Sequence, residues 1–558
     1  MPYRKNQYNV TVPHSSGFDK SHRYTGTGRC GTLIPVLCDE VIPGTKVRLR
    51  IPMSAQLPPL ASETYMNASI KYEAFFVPMR LLCGSFESFF NDFPERIQIT
   101  ASGGPTWTDF KGVLPVFSVP LTSGIIAPGS LLDYLGFVTT PSPSSPGAAV
   151  SFCPLPMFAY HLIWQEWYRN PRVQNPAFSK NIGSISSSSD FKKASIVPYT
   201  FYHDASGTFT ENYIFDGSSI FALADGKTIY DLRQRNFGLD YFTGARTSAQ
   251  QGDASSVSIA IPAGTDAAGG NATMTISALR AANSLQQFRE RNNLASPRFV
   301  DQIQDRYGVR PSDGVAQRPI CIGSATYDIS TRGIDQTANN GTNAVPNKNP
   351  FSSVASQYGR GSALGNDFII DNFEALEPGY IMVLQSLVPE ATYTVGVEKM
   401  FQRYVGPGSI VDMANPLLQN VGDQPILTKE LTGFGVPPTI NDIFGYTDRF
   451  SEFMFRKNSV HGLMRNDVNG SLKSFVLQRD FTGASALQLS SSFLEIPENY
   501  LDQAFAVSSE TAGLSYWFDL YMDYKITMPL AEYSIPSLQD PAYEHGKRIS
   551  IRRNGQIF

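Results

Sequence analysis

Alternation of apolar and polar side chains is clearest from Tyr516 to Met528. Phe518, Leu520, Met522, Tyr524, Ile526 and Met528 fall on one side of a period-2 ribbon, and Asp519, Tyr521, Asp523, Lys525 and Thr527 on the other. The pattern predicts a strand with one buried face. A strand this near the C-terminus cannot satisfy its backbone alone and needs sheet neighbours from earlier in the chain. Two stretches offer themselves: residues 46–51, where Val47, Leu49 and Ile51 alternate with Lys46, Arg48 and Arg50, and residues 69–77, where Ile70, Tyr72, Ala74 and Phe76 alternate. The expectation is that both ends of the chain share one sheet. Apolar runs between 32 and 77, punctuated by Pro43-Gly44 and Pro58-Pro59, predict further strands. The strand pattern resumes from Tyr380 through 381–388, 393–397, 452–455 and 473–478.

Helical spacing appears between these strand regions. Leu81, Leu82, Phe86, Phe89 and Phe90 predict a short helix within 78–93. Ala159, Ile163, Glu166 and Trp167 predict another within 156–169, stopped by Pro171, with Trp164 and Trp167 as core. Ser277 can cap a run with Ala278, Ala281, Leu285 and Phe288 on one face, and Phe299, Val300, Ile303 and Tyr307 predict a further helix. Proline-rich 141–146, serine-rich 184–189 and the Gly-Ala-Thr run 263–275 read as surface loops, because small polar residues cannot hold a core. Strands flanking a block of helix and loop are how an insertion within a β-sandwich reads. The block covers about 78–375, with variable surface loops at about 180–275.

At 558 residues the chain could hold several domains, yet no linker divides it. Charged residues are 17% and aromatics 12%, with 45 Gly and 38 Pro, a balance that favours strands, turns and elaborate loops over helical bundles. Residues 1–10 lack an apolar signal core, and no stretch approaches the roughly 18 apolar residues of a membrane span. A soluble product made in a cytoplasm is expected, with no membrane insertion. Cys30, Cys38, Cys83, Cys153 and Cys321 are odd in number and scattered, which fits reduced thiols.

The formal net charge of −4 conceals a segregation: residues 1–29 carry +4 and 544–558 carry +3, leaving −11 on the body between. The chain therefore reads as an extended basic arm (1–31), a sandwich with insertions (32–543) and a basic tail (544–558). Arg4, Lys5, Lys20, Arg23, Arg29, Lys547, Arg548, Arg552 and Arg553 are the candidate polyanion contacts, since Lys and Arg neutralise phosphates without reading base edges. Tyr3, Tyr8, Tyr24 and Phe558 lie among them and could stack on unpaired bases. Solvated tails that keep a protein in solution give the same charge pattern, and the tail could equally bind an acidic neighbour or a small internal partner.

Chemistry is conspicuous mainly by the motifs that do not occur. Gly26, Gly28 and Gly31 match G-x-G-x-x-G, but no hydrophobic strand precedes them and Pro35 interrupts any following helix. His161, Glu166 and His203 invite a metal reading without the i, i+4 ligand pair it needs. Glu374, Glu377 and Asp442 could pair in space as in a glycosidase, although solvated surface acids are the simpler reading. The sequence lacks a nucleophile elbow, a P-loop and H-E-x-x-H. No catalytic, cofactor-binding or metal site is expected.

Several runs, spread from end to end, resemble the major capsid protein of the microviruses, Microviridae, especially the gokushovirus-like branch. They include Ser21-His22, Gly31-Thr32-Leu33-Ile34-Pro35-Val36 and Asp39-Glu40-Val41-Ile42-Pro43-Gly44. Phe75-Phe76-Val77-Pro78-Met79-Arg80-Leu81 and Leu162-Ile163-Trp164-Gln165-Glu166-Trp167-Tyr168-Arg169 follow, then Asp240-Tyr241-Phe242-Thr243, Tyr307-Gly308-Val309, Gln317-Arg318-Pro319, Gly379-Tyr380-Ile381, Phe444-Gly445-Tyr446 and Tyr533-Ser534-Ile535-Pro536. After Thr243 the chain departs from the family: Gly244 to Gly252 replaces the usual Leu-Pro-Trp-Pro-Gln-Lys-Gly, the variable stretch to Thr275 is short, and 180–230 is longer.

The resemblance implies a mainly β chain, a single eight-stranded antiparallel jelly-roll β-sandwich with long loop and helix insertions. It further implies self-assembly into a T=1 icosahedral shell around a single-stranded DNA genome, without catalytic residues. Expected partners are copies of itself, the DNA, a host surface receptor met by surface loops, minor virion proteins and a small internal DNA-binding protein. The expected location is the virion, after synthesis in a host bacterial cytoplasm. A carbohydrate-binding or carbohydrate-cleaving β-sandwich is the alternative, with exposed Trp and Tyr along a groove, and a spike that sits on a shell without forming it is a third reading.

Overall fold

A computed structural model describes residues 7–12, 15–62, 64–83, 86–92, most of 95–120, 128–137, 149–178, 223, 225–249, 276–294, 296–337, 356–394, 396–402, 419, most of 422–506, and 515–530, with 202–203, 214–216 and 547–552 as separate strand pieces. The surface loops expected at 141–146, 184–189 and 263–275 lie outside the described residues.

The strand Tyr516–Met528 forms as its pattern requires: Tyr516, Phe518, Leu520, Met522, Tyr524 and Ile526 are buried, while Trp517, Tyr521 and Lys525 are exposed. Both of its edges are occupied. Lys46–Arg50 and Met53–Gln56 run antiparallel along one edge in a single register, from Thr527 opposite Lys46 to Trp517 opposite Gln56. Pro52 has no N–H to give, which breaks the ladder, but its carbonyl still accepts from the Tyr521 amide at 2.9 Å. Ser16–Asp19 and His22–Gly28 line the other edge, again in one register, from Ser16 opposite Met528 to Gly28 opposite Tyr516. Ser356–Gly365 and Phe368–Glu374 extend the sheet beyond residues 46–56, and Ser330–Thr337 follows. The two ends of the chain thus share one sheet, as expected, through residues 46–51.

The other expected neighbour lies elsewhere. Residues 69–77 belong to Ala68–Pro78, in a second antiparallel sheet ordered Ile320–Asp328, Ala68–Pro78, Gly379–Pro389, Ile34–Val41. Alternation fixes which face of a strand is buried and leaves its partner open, so this strand meets Tyr516–Met528 across the core instead of along an edge. Val36, Ile70, Tyr72, Phe76, Ile381 and Val383 from this sheet share one buried cluster with Val47, Leu49, Phe518, Leu520, Met522 and Ile526 from the first. Polar contacts bridge the layers: Tyr72 Oη donates to Met53 Sδ at 3.2 Å, and Gln385 Nε2 to Tyr516 Oη at 3.3 Å.

Gly379–Pro389 is buried along its whole length because both of its faces are covered. Its outer residues Tyr380, Met382 and Leu384 pack in a second core with the helix Leu155–Ile163, which continues as a π-helical turn, Trp164–Tyr168. Trp164 is buried there and Trp167 packs at its margin. The helices Phe86–Phe90, Ile276–Leu294 and Phe299–Tyr307 also form in the predicted regions, although Ser277 lies inside its helix and not at the cap.

Three predicted strands do not form. Residues 452–454 fall in the helix Ser451–Met454; among the described residues 393–397 contribute only two isolated bridges at Tyr393, and 473–478 a 3-10 turn, Lys473–Phe475, with one bridge at Val476. Short apolar runs do not distinguish a strand from an anchored loop, and Tyr393 is such an anchor, its ring 4.8 Å from Phe242. Residues 320–374, expected as helix and loop, instead supply four strands. The chain is mainly β and antiparallel, built as a sandwich, but with several sheets in place of the two of a simple jelly roll. Smaller ones pair Glu95–Ala101 with Gly104–Gly112 and Gln424–Leu427 with Ile443–Thr447. A long insertion must satisfy its own backbone, and these ladders do so locally.

Packing also explains the three glycines. A Cβ on Gly26 would meet the Phe518 ring at 2.7 Å, and one on Gly28 the Tyr516 ring at 2.5 Å, each being the residue directly opposite. Gly31 takes φ +70° hard against Ile496. They let the arm lie over aromatic rings, and no phosphate loop is formed.

The core reading predicts that Leu520→Ala lowers subunit stability by about 2–5 kcal/mol, whereas Tyr521→Ala on the outer face shifts it by roughly 0.5 kcal/mol or less. Urea unfolding of the isolated subunit checks both, and equal effects would contradict the assigned faces.

Candidate nucleic-acid interface at the chain termini

The arm is fastened to the body by its own cations. Lys20 Nζ donates to both Asp39 oxygens at 2.9 and 2.8 Å, the Arg23 guanidinium forks onto Asp519 at 2.9 and 2.6 Å, and Arg29 pairs with Glu498. All three pairs are at least partly exposed, so each contributes about 0.2–1 kcal/mol. The acidic body is therefore the first counterion of the basic arm. Between the two arm strands, Ser21 Oγ donates to Asp19 and accepts the Tyr524 amide at 3.1 Å, while the Lys20 amide donates to the Tyr524 carbonyl at 2.9 Å. The Ser21 hydroxyl and amide hold the Asp19 carboxyl below its usual range. Tyr24, read from sequence as a base-stacking residue, is half-buried and stacks on Phe518 instead, with ring centroids 6.1 Å apart. Its alternating position on a strand was the available signal.

The other basic end comes to the first one. Lys547–Arg552 pairs antiparallel with Gln7–Val12, setting Gln7 opposite Arg552, Thr11 opposite Arg548 and Val12 opposite Lys547. The two termini are thereby brought together, which their separation of more than 500 residues concealed. Arg4, Lys5 and Arg553, like Tyr3 and Phe558, lie outside the described residues.

Candidate chemistry elsewhere resolves into structure. His161 is buried: Nε2–H donates to the Ile229 carbonyl at 2.7 Å, and Nδ1 accepts from Arg233 Nε at 2.9 Å. Both ring nitrogens are committed, leaving no lone pair for a metal. Burial, with Arg233 adding its charge, holds the imidazole well below its ordinary pKa, so it is neutral. Arg233 also pairs with Asp225 and lies over the Trp164 ring, 4.3 Å from its centroid. Glu374 pairs with Lys46 and Glu377 with Arg80, so each is bound to its own cation, and Asp442 is exposed. Among the described residues no three His, Cys, Asp or Glu are grouped to hold a metal, and no helix is long and apolar enough to cross a membrane. Cys30, Cys38, Cys153 and Cys321 are free thiols; burial pushes the Cys38 thiol up to about 12.

The chain is a β-sandwich with long excursions and paired termini, and its candidate titratable groups are committed within the fold. The chain belongs to the capsid protein (F protein) family, whose model matches residues 9–538. Among its relatives is capsid protein VP1 of Chlamydia phage 1, 26% identical over 97% of this chain and 98% of the relative. The corresponding proteins of Bdellovibrio phage phiMH2K, 24% identical over 94% and 95%, and Spiroplasma virus 4, 25% over 93% and 94%, are similarly colinear. The resemblance to the microvirus capsid proteins is borne out.

The neutral His161 sets a pH dependence. Its native pKa lies below the roughly 6.5 of an unfolded histidine, so the unfolded state binds more protons under pH 6.5 and stability falls as the pH drops from 7 to 5, by at most about 1.4 kcal/mol per unit. His161→Gln keeps a donor for Ile229 and an acceptor for Arg233 without titrating, so its stability deficit relative to wild type should shrink toward pH 5. Urea midpoints at pH 7, 6 and 5 test this, and a constant difference would contradict it.

Proposed function

We propose that this chain is the major capsid protein of a small icosahedral single-stranded DNA phage, assembling with copies of itself into a T=1 shell that encloses the genome. One observation supports self-association above others: the helices Ile276–Leu294 and Phe299–Tyr307 leave Ile276, Leu285, Phe288, Leu294, Phe299 and Tyr307 exposed. A lone subunit gains nothing by holding such a flank in water, whereas a neighbouring copy would bury it.

The sandwich is read here as one jelly roll. Counting each interrupted strand once, residues 516–528, 46–56, 356–374 and 330–337 oppose the four strands of the second sheet, with the arm as an addition. The division into arm (1–31), jelly roll with insertions (32–543) and tail (544–558) follows. Arg4, Lys5, Lys547, Arg548, Arg552 and Arg553 meet the genome's phosphates; Lys20, Arg23 and Arg29 would share their charge between a carboxylate and a phosphate. Surface loops within 180–275 meet the host receptor, and minor virion proteins and a small internal DNA-binding protein complete the particle. The protein works in the virion after synthesis in the host bacterial cytoplasm, with no catalytic role.

Two variants test the container. Leu285→Asp with Phe288→Asp should leave soluble, folded subunits that form no closed particles by negative stain; normal particles would remove these helices from the contact. Reversing Arg4, Lys5, Arg552 and Arg553 to Glu should leave the subunit fold unchanged and lower DNA per particle several-fold. Unchanged DNA content would remove the termini from that role.

A further inference from the structure

The pairing of Gln7–Val12 with Lys547–Arg552 does more than bring two basic ends near each other. Directly opposite residues of an antiparallel pair share a face. The register therefore sorts this ribbon into one face with Tyr8, Val10, Val12, Ile549 and Ile551, joined by Lys547 at its end, and one with Gln7, Asn9, Thr11, Arg548, Ser550 and Arg552. The second face is wholly polar, carries both arginines and contains no carboxylate. Four of its members, Gln7, Asn9, Thr11 and Ser550, have side chains that hydrogen-bond phosphate and sugar.

We propose that the two termini make one composite site for the backbone of single-stranded DNA, in which the N-terminal strand supplies polar groups and the C-terminal strand supplies Arg548 and Arg552. This rests on the genome-enclosing reading above and adds that neither terminus binds as a free tail. Arg548 and Arg552 stand four residues apart on a strand, about 13 Å at 3.3 Å per residue, so they meet two phosphates of one strand with a third between them, and the hydroxyl and amide residues lie beside that path. Contact with phosphates alone makes the site indifferent to base sequence and sensitive to salt. The body is acidic, and this face of the ribbon brings two arginines and no carboxylate of its own.

The register gives a direct test. Asn9→Cys with Ser550→Cys places thiols on opposed residues, whose Cα atoms in an antiparallel pair lie about 4.5–5.5 Å apart, within disulfide reach. Oxidised particles should yield a linked peptide joining residues near 9 and 550 of the same chain, absent from wild type; links only between chains, or none, would overturn the ribbon. The functional arm uses Asn9→Pro with Val10→Pro. Successive amides of a strand point to opposite edges, so this pair must remove one cross-strand donor while changing no charge. Photocrosslinking of packaged DNA to the 547–552 peptide should then fall at least fivefold, matching the loss in Arg548→Glu with Arg552→Glu. If the arginine variant loses crosslinks and the proline variant keeps them, the tail binds DNA alone and the composite site is wrong. If neither loses them in intact DNA-filled particles, the termini do not contact the genome at all.

Discussion

Burying the alternate side chains of Tyr516–Met528 is possible only if both of its backbone edges find partners, because a buried strand with open amides and carbonyls loses more than its side chains gain. That constraint shapes the rest of the molecule. Residues 46–56 take one edge and 16–28 the other, so a strand made near the end of the chain becomes the middle of its sheet. The opposing sheet supplies the second wall, and Gly379–Pro389, covered on both faces, joins the sandwich core to the outer core under the helix Leu155–Ile163. The excursions between 79 and 319 can then be long and irregular, since the strands they connect are held by each other.

Charge follows the same plan. An acidic body and basic ends attract, and part of that attraction is spent within the subunit, at Lys20–Asp39, Arg23–Asp519 and Arg29–Glu498. None of these exposed pairs is strong. Their combined effect, with the Ser21 clasp and the glycines over Phe518 and Tyr516, is to set the arm's path along the sheet. The outer ends pair with one another, so the basic tail runs as a strand beside the start of the arm.

Much of this was legible in the chain. Period-2 alternation located Tyr516–Met528, its buried face and its partner at 46–51, and helical spacing located Leu155–Ile163 with both tryptophans. Periodicity reports burial, however, and not which strand lies beside which, so 69–77 was assigned to the wrong sheet and 452–455 to the wrong element. The arm's cations were read as ligand contacts because composition shows charge without showing its partner; Asp519 and Glu498 lie nearly 500 residues away in sequence. Tyr24 and the Gly26–Gly28 pair carried a recoverable clue, in that small residues facing large aromatics on opposed strands are complementary. The terminal ribbon had only a faint signal, two short alternating runs at 7–12 and 547–552.

Native-state hydrogen exchange on the assembled protein, followed by peptide, tests the central place of Tyr516–Met528 most directly. Amides of 516–528 should exchange as slowly as those of 379–389, in keeping with opening only by global unfolding of the subunit, and should be slower than those of 16–28 on the flanking arm. Fast exchange across 516–528 while 379–389 stays protected would show that the sandwich stands without it, and would contradict the architecture described here.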